Sequence, residues 1–203
     1  LNPWDMRAIQ PIFRGAGAKR GIIGLVRSGG ATAVRAKGLR MDVVAYDPYV
    51  RAGTDKLLGV TLVELEELLR TCDVVSVHTP LTEESRQMID GKALDLMKPT
   101  AVLINTARGA VVDTDALAVA LREGSIAGAG IDVLPEEPAR SDMPLIQLWQ
   151  EDTQPPVNLI VTPHTAFYSD AGLLEMRTKA AMELKRILSG QNPKNCVNVE
   201  FLP

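Results

Sequence analysis

Short apolar runs recur along the chain from Lys19 onward, and stretches with helical periodicity separate them. Each run has the length of a β-strand, and most runs are rich in Val and Ile without alternating apolar and polar positions. Strands that are buried on both faces show this pattern, as in a parallel sheet that helices cover on both sides. The sequence therefore predicts six buried strands, over residues 21–25, 43–46, 74–78, 101–105, 128–133 and 159–161.

Helix candidates lie between the runs, and the last of them has the clearest pattern. Helices are predicted over residues 29–39, 63–71 and 114–123, with Asp113 capping the third and Gly124 ending it. The last helix follows a capping Ser169, ends at Gly190 and carries an apolar stripe of Leu173, Met176, Ala180, Leu184 and Ile187. This alternation predicts an α/β fold with a doubly wound parallel sheet, whose ligands bind at the carboxyl ends of the strands.

The composition argues against several classes of protein. Of the 203 residues, 46% are hydrophobic and 23% are charged, which is typical of a globular domain. The net charge of −3 argues against nucleic-acid binding through bulk charge, and no apolar run is long enough to span a membrane. Cys72 and Cys196 lie far apart in the sequence without neighbouring metal ligands, so we expect no disulfide, no metal site and a cytoplasmic location.

The first predicted strand leads into a glycine-rich turn with most of the dinucleotide-binding fingerprint G-x-G-x-x-G. Gly24 and Gly29 occupy the first and third glycine positions, but Val26 stands at the second. The second glycine normally lets the backbone approach a pyrophosphate, so we expect Val26 to obstruct the ligand and not the fold. Arg27 and Ser28 lie in the same turn, where backbone N–H groups favour anions. The alternative is a strand–turn–helix with a purely structural role.

An acidic residue at the end of the second predicted strand supports the nucleotide interpretation. Asp47 stands where a carboxylate can accept hydrogen bonds from the ribose hydroxyls of a dinucleotide. Because a 2′-phosphate would meet a negative charge there, the sequence favours NAD over NADP. The alternative is that Asp47 only forms a turn before Pro48.

Four further segments carry motifs whose order and spacing are specific: HTPLTEESRQMID (78–90), INTARGAVVD (104–113), GIDVLPEEP (130–138) and TPHTAFYS (162–169). Together they resemble the D-isomer-specific 2-hydroxyacid dehydrogenases over residues 14–200. YDPY (46–49), Phe167 and NCVN (195–198) resemble the branch that contains the C-terminal-binding proteins. Residues 1–18 lack periodicity and are predicted to be a lead-in segment. The resemblance implies a Rossmann-type NAD-binding domain over 19–167, and a return helix and tail over 168–203 that belong partly to a substrate domain.

The resemblance also assigns three catalytic residues. His164 matches the acid/base of the family, and histidine suits that role because its ordinary pKa lies near neutral pH. Glu137 matches the catalytic glutamate, with Glu136 as the adjacent competitor that only spacing disfavours. Arg108 offers a planar fork that suits a substrate carboxylate or keto oxygen. Without the resemblance, each of these residues could be an ordinary loop or surface residue.

The remaining matches are to residues that contact the cofactor. Asp132 matches the residue that accepts the nicotinamide carboxamide, and Thr106 and Ala107 would lie along the nicotinamide ribose. Thr79 and Pro80 would flank the adenosine side, and His164 would also touch the cofactor.

The resemblance implies an NAD-dependent enzyme that transfers a hydride between NAD(H) and a D-2-hydroxy acid or 2-keto acid, commonly as a homodimer. Most of a substrate domain has no counterpart in this sequence, and Leu1 is not Met, so we expect a fragment that is inactive alone. Two alternatives remain open: an NAD(H)-sensing, corepressor-like binding protein of the same branch, or a degraded domain in which Val26 weakens NAD binding.

Overall fold

Seven parallel strands form one sheet in the computed structural model, which describes residues 13–153, 156–194 and 196. They are β1 (Lys19–Ile23), β2 (Asp42–Tyr46), β3 (Thr61–Leu62), β4 (Val74–Val77), β5 (Val102–Asn105), β6 (Gly128–Ile131) and β7 (Leu159–Val161). Their spatial order is β3-β2-β1-β4-β5-β6-β7, and every neighbouring pair is parallel. The predicted doubly wound sheet is therefore confirmed, and β3 is a strand that the apolar pattern did not indicate.

The described helices are α1 (Arg27–Gly38), α2 (Thr54–Leu58), α3 (Leu65–Thr71), α4 (Gly91–Asp95), α5 (Thr114–Glu123), α6 (Pro144–Gln150) and α7 (Asp170–Leu188). The prediction for α5 has the observed bounds, and the side chain of Asp113 accepts hydrogen bonds from the N–H groups of Asp115 and Ala116. The helix predicted over 29–39 begins two residues earlier, and the one predicted over 63–71 begins later, at Leu65. The pattern did not predict α2, α4 or α6, each of which has seven residues or fewer.

Apolar side chains cover both faces of the central strands, as the unbroken apolar runs predicted. The prediction of a strand buried on both faces is wrong for β7, where Ile160 is exposed at the edge of the sheet. In β1, Ile22 packs with Ala33 and Ala36 of α1 on one face of the sheet. Its neighbour Ile23 points to the other face, into a core to which α3, α4, α5 and α6 contribute. Successive residues of a strand point to opposite faces, so each run supplies both cores. The parallel arrangement then brings the carboxyl ends of all strands to one edge of the sheet.

The chain divides into two compact units, the first ending at His164 and the second beginning at Thr165. Within the second unit, the side chain of Ser169 accepts a hydrogen bond from the N–H of Gly172 and caps α7, as predicted. None of the α7 residues is buried, and Met176, Leu184 and Ile187 of the predicted stripe are exposed. The predicted boundaries after residues 18 and 167 stay predictions. Residues 1–12 of the lead-in segment, and all of NCVN except Cys196, lie outside the described residues.

Within the described residues, no helix is both long and apolar enough to cross a bilayer. No group of three or more His, Cys, Asp or Glu side chains there could hold a metal ion.

Candidate active site

The glycine-rich turn joins β1 to α1 at the carboxyl edge of the sheet. Gly24 has φ of +92°, a conformation that favours glycine, and its N–H donates to the carbonyl of Tyr46. A Cβ at Gly29 would overlap the carbonyl oxygen of Gly24, so the helix can approach the strand only because this residue lacks a side chain. These two glycines therefore meet the steric needs of a nucleotide-binding turn.

Val26 is the last residue before α1, and 42% of its surface is exposed. Its side chain lines the cavity beside the turn, at the position where the fingerprint has its second glycine. Arg27 and Ser28 begin the helix, whose first turn contains no acidic residue. The N-terminus of α1 thus presents backbone N–H groups and a positive dipole end that favour an anion.

Asp47 connects the end of β2 to the glycine-rich turn. Its Oδ2 accepts a hydrogen bond from the N–H of Leu25 at 2.8 Å, and its Oδ1 accepts one from the N–H of Tyr49 at 2.9 Å. The bond to Tyr49 forms the local turn before Pro48 that was the alternative role for Asp47. The first bond adds a contact across 22 residues of sequence and fixes the carboxylate beside the turn.

A cavity of about 460 Å³ lies between the end of β2 and the loop after β4. Its walls are largely apolar and include Tyr46, Pro48, Pro80 and Met88. Its polar side chains include three carboxylates, and among the described residues neither Lys nor Arg lines it. A flat heterocycle with a hydroxylated sugar suits such a cavity, because apolar walls accept the ring and a carboxylate accepts the hydroxyls. Gly24, Val26, Asp47, Thr79 and Pro80 are the predicted cofactor residues among its lining.

The turn after β5 carries Arg108 and is fixed by a buried asparagine. The side chain of Asn105 donates to the carbonyl of Arg108 and accepts from the N–H of Ala107, both at 3.0 Å. At Gly109, a Cβ would overlap the backbone of Leu134, so the loops after β5 and β6 lie in direct contact. The exposed Arg108 is thereby held on the same edge of the sheet as the loop that contains Glu137.

Glu137 and His164 form a hydrogen-bonded pair, with 2.8 Å between Oε2 of the carboxylate and Nδ1 of the imidazole. The other carboxylate oxygen, Oε1, accepts from the N–H of Leu134 at 3.0 Å. The hydrogen bonds from His164 and Leu134 lower the pKa of Glu137, so this carboxyl group stays ionised near neutral pH. Glu136 instead pairs with Arg140 at 3.1 Å, so the geometry favours Glu137 over its neighbour.

Asp132 holds the backbone of the His164 loop. Its carbonyl accepts the N–H of His164 at 2.8 Å, and its buried carboxylate accepts the hydroxyl of Thr162 at 2.6 Å. His164 has φ of +53°, an uncommon conformation for a residue with a side chain. Such conformations persist only where the surrounding contacts hold them, and they are concentrated at functional sites.

The structure adds four residues that the sequence argument did not single out. Asn105 and Thr162 lie inside the recognised motifs and form hydrogen bonds that position their neighbours. Because both are polar residues at the end of an apolar run, the sequence contained a signal for them. Tyr49 and Glu84 are joined by a hydrogen bond across 35 residues of sequence. No local pattern reveals such a contact.

The second histidine of the chain lies apart from the Glu137–His164 pair. His78 follows β4, and its Nε2 is 2.9 Å from the hydroxyl oxygen of Ser76. Burial, together with the positive charge of Arg20, lowers the pKa of His78 to about 4. This imidazole is therefore neutral at pH 7.

Comparison with known proteins places these features in a family. Residues 2–166 match the model of the D-isomer specific 2-hydroxyacid dehydrogenase, NAD binding domain. A glyoxylate reductase from Korarchaeum cryptofilum is 45% identical over 186 residues, covering 92% of this chain and 54% of the relative. A glyoxylate reductase from Thermococcus litoralis is 40% identical over 194 residues, covering 94% and 56%. The chain thus spans about half the length of these curated relatives.

Solved structures give the same result. D-lactate dehydrogenase from Aquifex aeolicus, complexed with NAD and lactic acid, matches with a TM-score of 0.75 and 36% identity. The match covers 85% of this chain and 54% of that one. These comparisons do not confirm the predicted branch of the C-terminal-binding proteins, which stays a prediction. The fold, the turn after β1 and the family match agree, and the chain belongs to the NAD-binding domain family of the D-isomer specific 2-hydroxyacid dehydrogenases.

Proposed function

We propose that this chain forms the nucleotide-binding part of an NAD-dependent dehydrogenase that interconverts D-2-hydroxy acids and 2-keto acids. The observation that carries the proposal is the Glu137–His164 hydrogen bond at the sheet edge that also carries the glycine-rich turn. A proton-moving pair and a nucleotide site on one edge are what hydride transfer to a carbonyl requires. The names of the relatives, glyoxylate reductase and D-lactate dehydrogenase, support small 2-keto acids as substrates.

The described residues fit a bound NAD along the carboxyl edge of the sheet. We assign the pyrophosphate to the turn of Gly24, Val26, Arg27, Ser28 and Gly29, and the adenosine to the cavity with Asp47, Thr79 and Pro80. The nicotinamide half is assigned to the ends of β5, β6 and β7, with Thr106, Ala107, Asp132 and His164. When bound, NAD supplies the acceptor or donor of the hydride.

In this proposal, His164 exchanges a proton with the oxygen of the substrate. Nδ1 of His164 donates a hydrogen bond to the carboxylate of Glu137. This bond fixes the tautomer of the imidazole and makes Nε2 the nitrogen that transfers the proton. The ionised carboxylate also stabilises the imidazolium that forms when His164 takes the proton of a hydroxy acid. In the reverse direction, the imidazolium returns that proton to the keto oxygen as the hydride reaches the carbon.

Arg108 binds the carboxylate that every 2-keto acid carries. Its guanidinium is exposed on the loop after β5, and one nitrogen donates to the carbonyl of Ala107 at 2.7 Å. The remaining nitrogens offer a fork that matches a carboxylate. Replacement by Lys keeps the charge but loses the fork, which makes it the informative substitution at this position.

Substitution of the proton-moving pair tests the proposal. In the enzyme that joins this domain to its substrate domain, His164→Ala should lower kcat for glyoxylate or pyruvate reduction by about 10²- to 10⁴-fold. Glu137→Gln keeps the shape of the side chain but removes its charge, and should lower kcat in the same direction. NADH binding, measured by calorimetry, should persist in both variants. Unchanged turnover in His164→Ala would remove this residue from its role.

A second function is favoured by one observation. Val26 lines the cavity beside the anion-binding turn, where a side chain obstructs close approach of a pyrophosphate. A domain that has lost tight NAD binding would show this feature. Direct titration with NADH separates the two functions, because the dehydrogenase requires measurable binding.

We also propose that the protein acts as a homodimer in the cytoplasm. The exposed apolar side chains of α7 support further association, since such stripes are normally covered. Sedimentation of the 203-residue chain as a monomer at micromolar concentration would contradict the dimer.

A further inference from the structure

A chain of hydrogen bonds runs along the mouth of the adenosine cavity. It begins at the N–H of Leu25, passes through both oxygens of Asp47 to the N–H of Tyr49, and continues from the Tyr49 hydroxyl to the carboxylate of Glu84. This series of hydrogen bonds connects the glycine-rich turn, the loop after β2 and the loop after β4. Asp47 and Glu84 are therefore both fixed through the same tyrosine.

The loop that carries Glu84 is itself well ordered by local contacts. The hydroxyl of Ser85 donates to the carbonyl of Pro80 at 2.7 Å and accepts the N–H of Thr82 at 2.8 Å. Ser85 is buried, so these bonds are shielded from water. The hydrogen bond to Glu84 and the charge of that carboxylate raise the pKa of Tyr49, whose hydroxyl is the donor in this bond.

The cavity is unusually one-sided in charge. Asp47, Glu83 and Glu84 all line it, and no lysine or arginine of the part of the chain that the structure describes is among its lining residues. A 2′-phosphate on the adenosine ribose carries close to two negative charges at pH 7. It would therefore meet repulsion from more than the single aspartate at the end of β2.

We propose that Glu84, positioned by Tyr49, is a second determinant that selects the dinucleotide without a 2′-phosphate. The inference rests on the proposed placement of the cofactor in this cavity. Asp47 accepts hydrogen bonds from the ribose hydroxyls, whereas the charge of Glu84 at the mouth of the cavity repels a 2′-phosphate. Replacement of Asp47 alone consequently leaves part of the discrimination in place. Tyr49 is a positioning residue, since it holds the carboxylate without carrying the charge.

The experiment is a calorimetric titration of the 203-residue chain with NADH and with NADPH. Glu84→Gln should improve the affinity for NADPH relative to NADH by about three- to tenfold, because one unit charge near a dianion is removed. The gain should shrink at high salt, where charge interactions are screened. Tyr49→Phe releases the carboxylate but keeps its charge, and should give a smaller gain in the affinity for NADPH relative to NADH.

Glu67→Gln is the matched control, since it changes the net charge equally on the exposed surface of α3, outside the cavity. It should leave the ratio of affinities unchanged. An unchanged ratio in Glu84→Gln, with NADH binding intact, would overturn the proposal, and so would an equal change in Glu67→Gln. Failure of the unmodified chain to bind NADH would instead reject the placement of the cofactor in this cavity. Circular dichroism of each variant establishes that the fold is retained.

Discussion

At the scale of single residues, the two histidines show how position determines chemistry. His164 lies at the exposed edge of the sheet and is hydrogen-bonded to an ionised carboxylate. His78 is partly buried beside Ser76, near the positive charge of Arg20. The same side chain therefore lies exposed beside a carboxylate in one case and is held neutral in the other.

His78 makes the stability of the fold depend on pH. The unfolded chain binds a proton at this imidazole below about pH 6.5, whereas the folded chain binds it only below a pKa of about 4. We therefore expect the free energy of unfolding to fall as the pH drops through this interval, by about 3 kcal/mol in total. His78→Gln should flatten this dependence in urea titrations between pH 6.5 and 4.

His164→Gln is the control for that measurement, because the chain contains two histidines and this substitution leaves His78 in place. The contribution of His78 to the pH dependence should persist in it. Equal slopes in His78→Gln and the unmodified protein would contradict the assignment to His78.

Val26 gives a second test at this scale. Val26→Gly should bind NADH at least several-fold more tightly, because each recovered charge-assisted hydrogen bond to phosphate contributes about 1.5–3 kcal/mol. Thermal stability without ligand should change little, since Val26 precedes α1 and makes no capping bond with its side chain. Equal affinity in calorimetry would show that the turn tolerates valine. Weaker affinity would show that the register of the fingerprint is wrong.

At the scale of elements, the junction of β1 and α1 depends on close backbone approach. Gly29→Ala places a methyl group against the carbonyl of Gly24 and within 3.1 Å of the Ile22 side chain. We expect a loss of about 1–3 kcal/mol in the free energy of unfolding, as for other overpacked cores. Gly38→Ala, on the same helix, meets no heavy atom within 4 Å and should stabilise by about 0.5–1 kcal/mol. Urea denaturation measures both, and equal effects would contradict the steric account.

The elements that the sequence predicted carry local signals, whereas those it missed have at most seven residues. The six predicted strands have continuous apolar runs and α5 has a clear cap, so local patterns define them. By contrast, β3 has two exposed residues, and α2 buries none of its five. Such short elements are formed by their neighbours in the fold and leave little periodicity to detect.

The candidate site follows the same division. Arg108, Glu137 and His164 lie in motifs that the sequence carries in full, so they could be named before the structure was known. The choice of Glu137 over Glu136 became clear only from the hydrogen bond to His164. The link from Tyr49 to Glu84 joins two distant loops and could not be inferred from either one alone.

At the scale of the whole molecule, the proton-moving pair is open to solvent. The side chains of Glu137 and His164 are 38% and 44% exposed, whereas hydride transfer needs a site that excludes water. We therefore expect negligible NADH-dependent reduction of glyoxylate, pyruvate or hydroxypyruvate by the 203-residue chain alone. A spectrophotometric assay of NADH oxidation checks this. Robust turnover would show that the described residues suffice for catalysis.

The strand order also has a consequence for how the protein is made. Residues 19–88 contain β3, β2, β1 and β4, which form one contiguous half of the sheet and nearly all of the adenosine cavity. After β4, each new strand adds to the outer edge of the previous one, and His164 comes last. During synthesis, the residues that line this cavity therefore leave the ribosome before Glu137 and His164 do. The core on that half also contains Leu103 and Leu117 from later elements, so the strands around the cavity become fully packed only after the outer strands have been added.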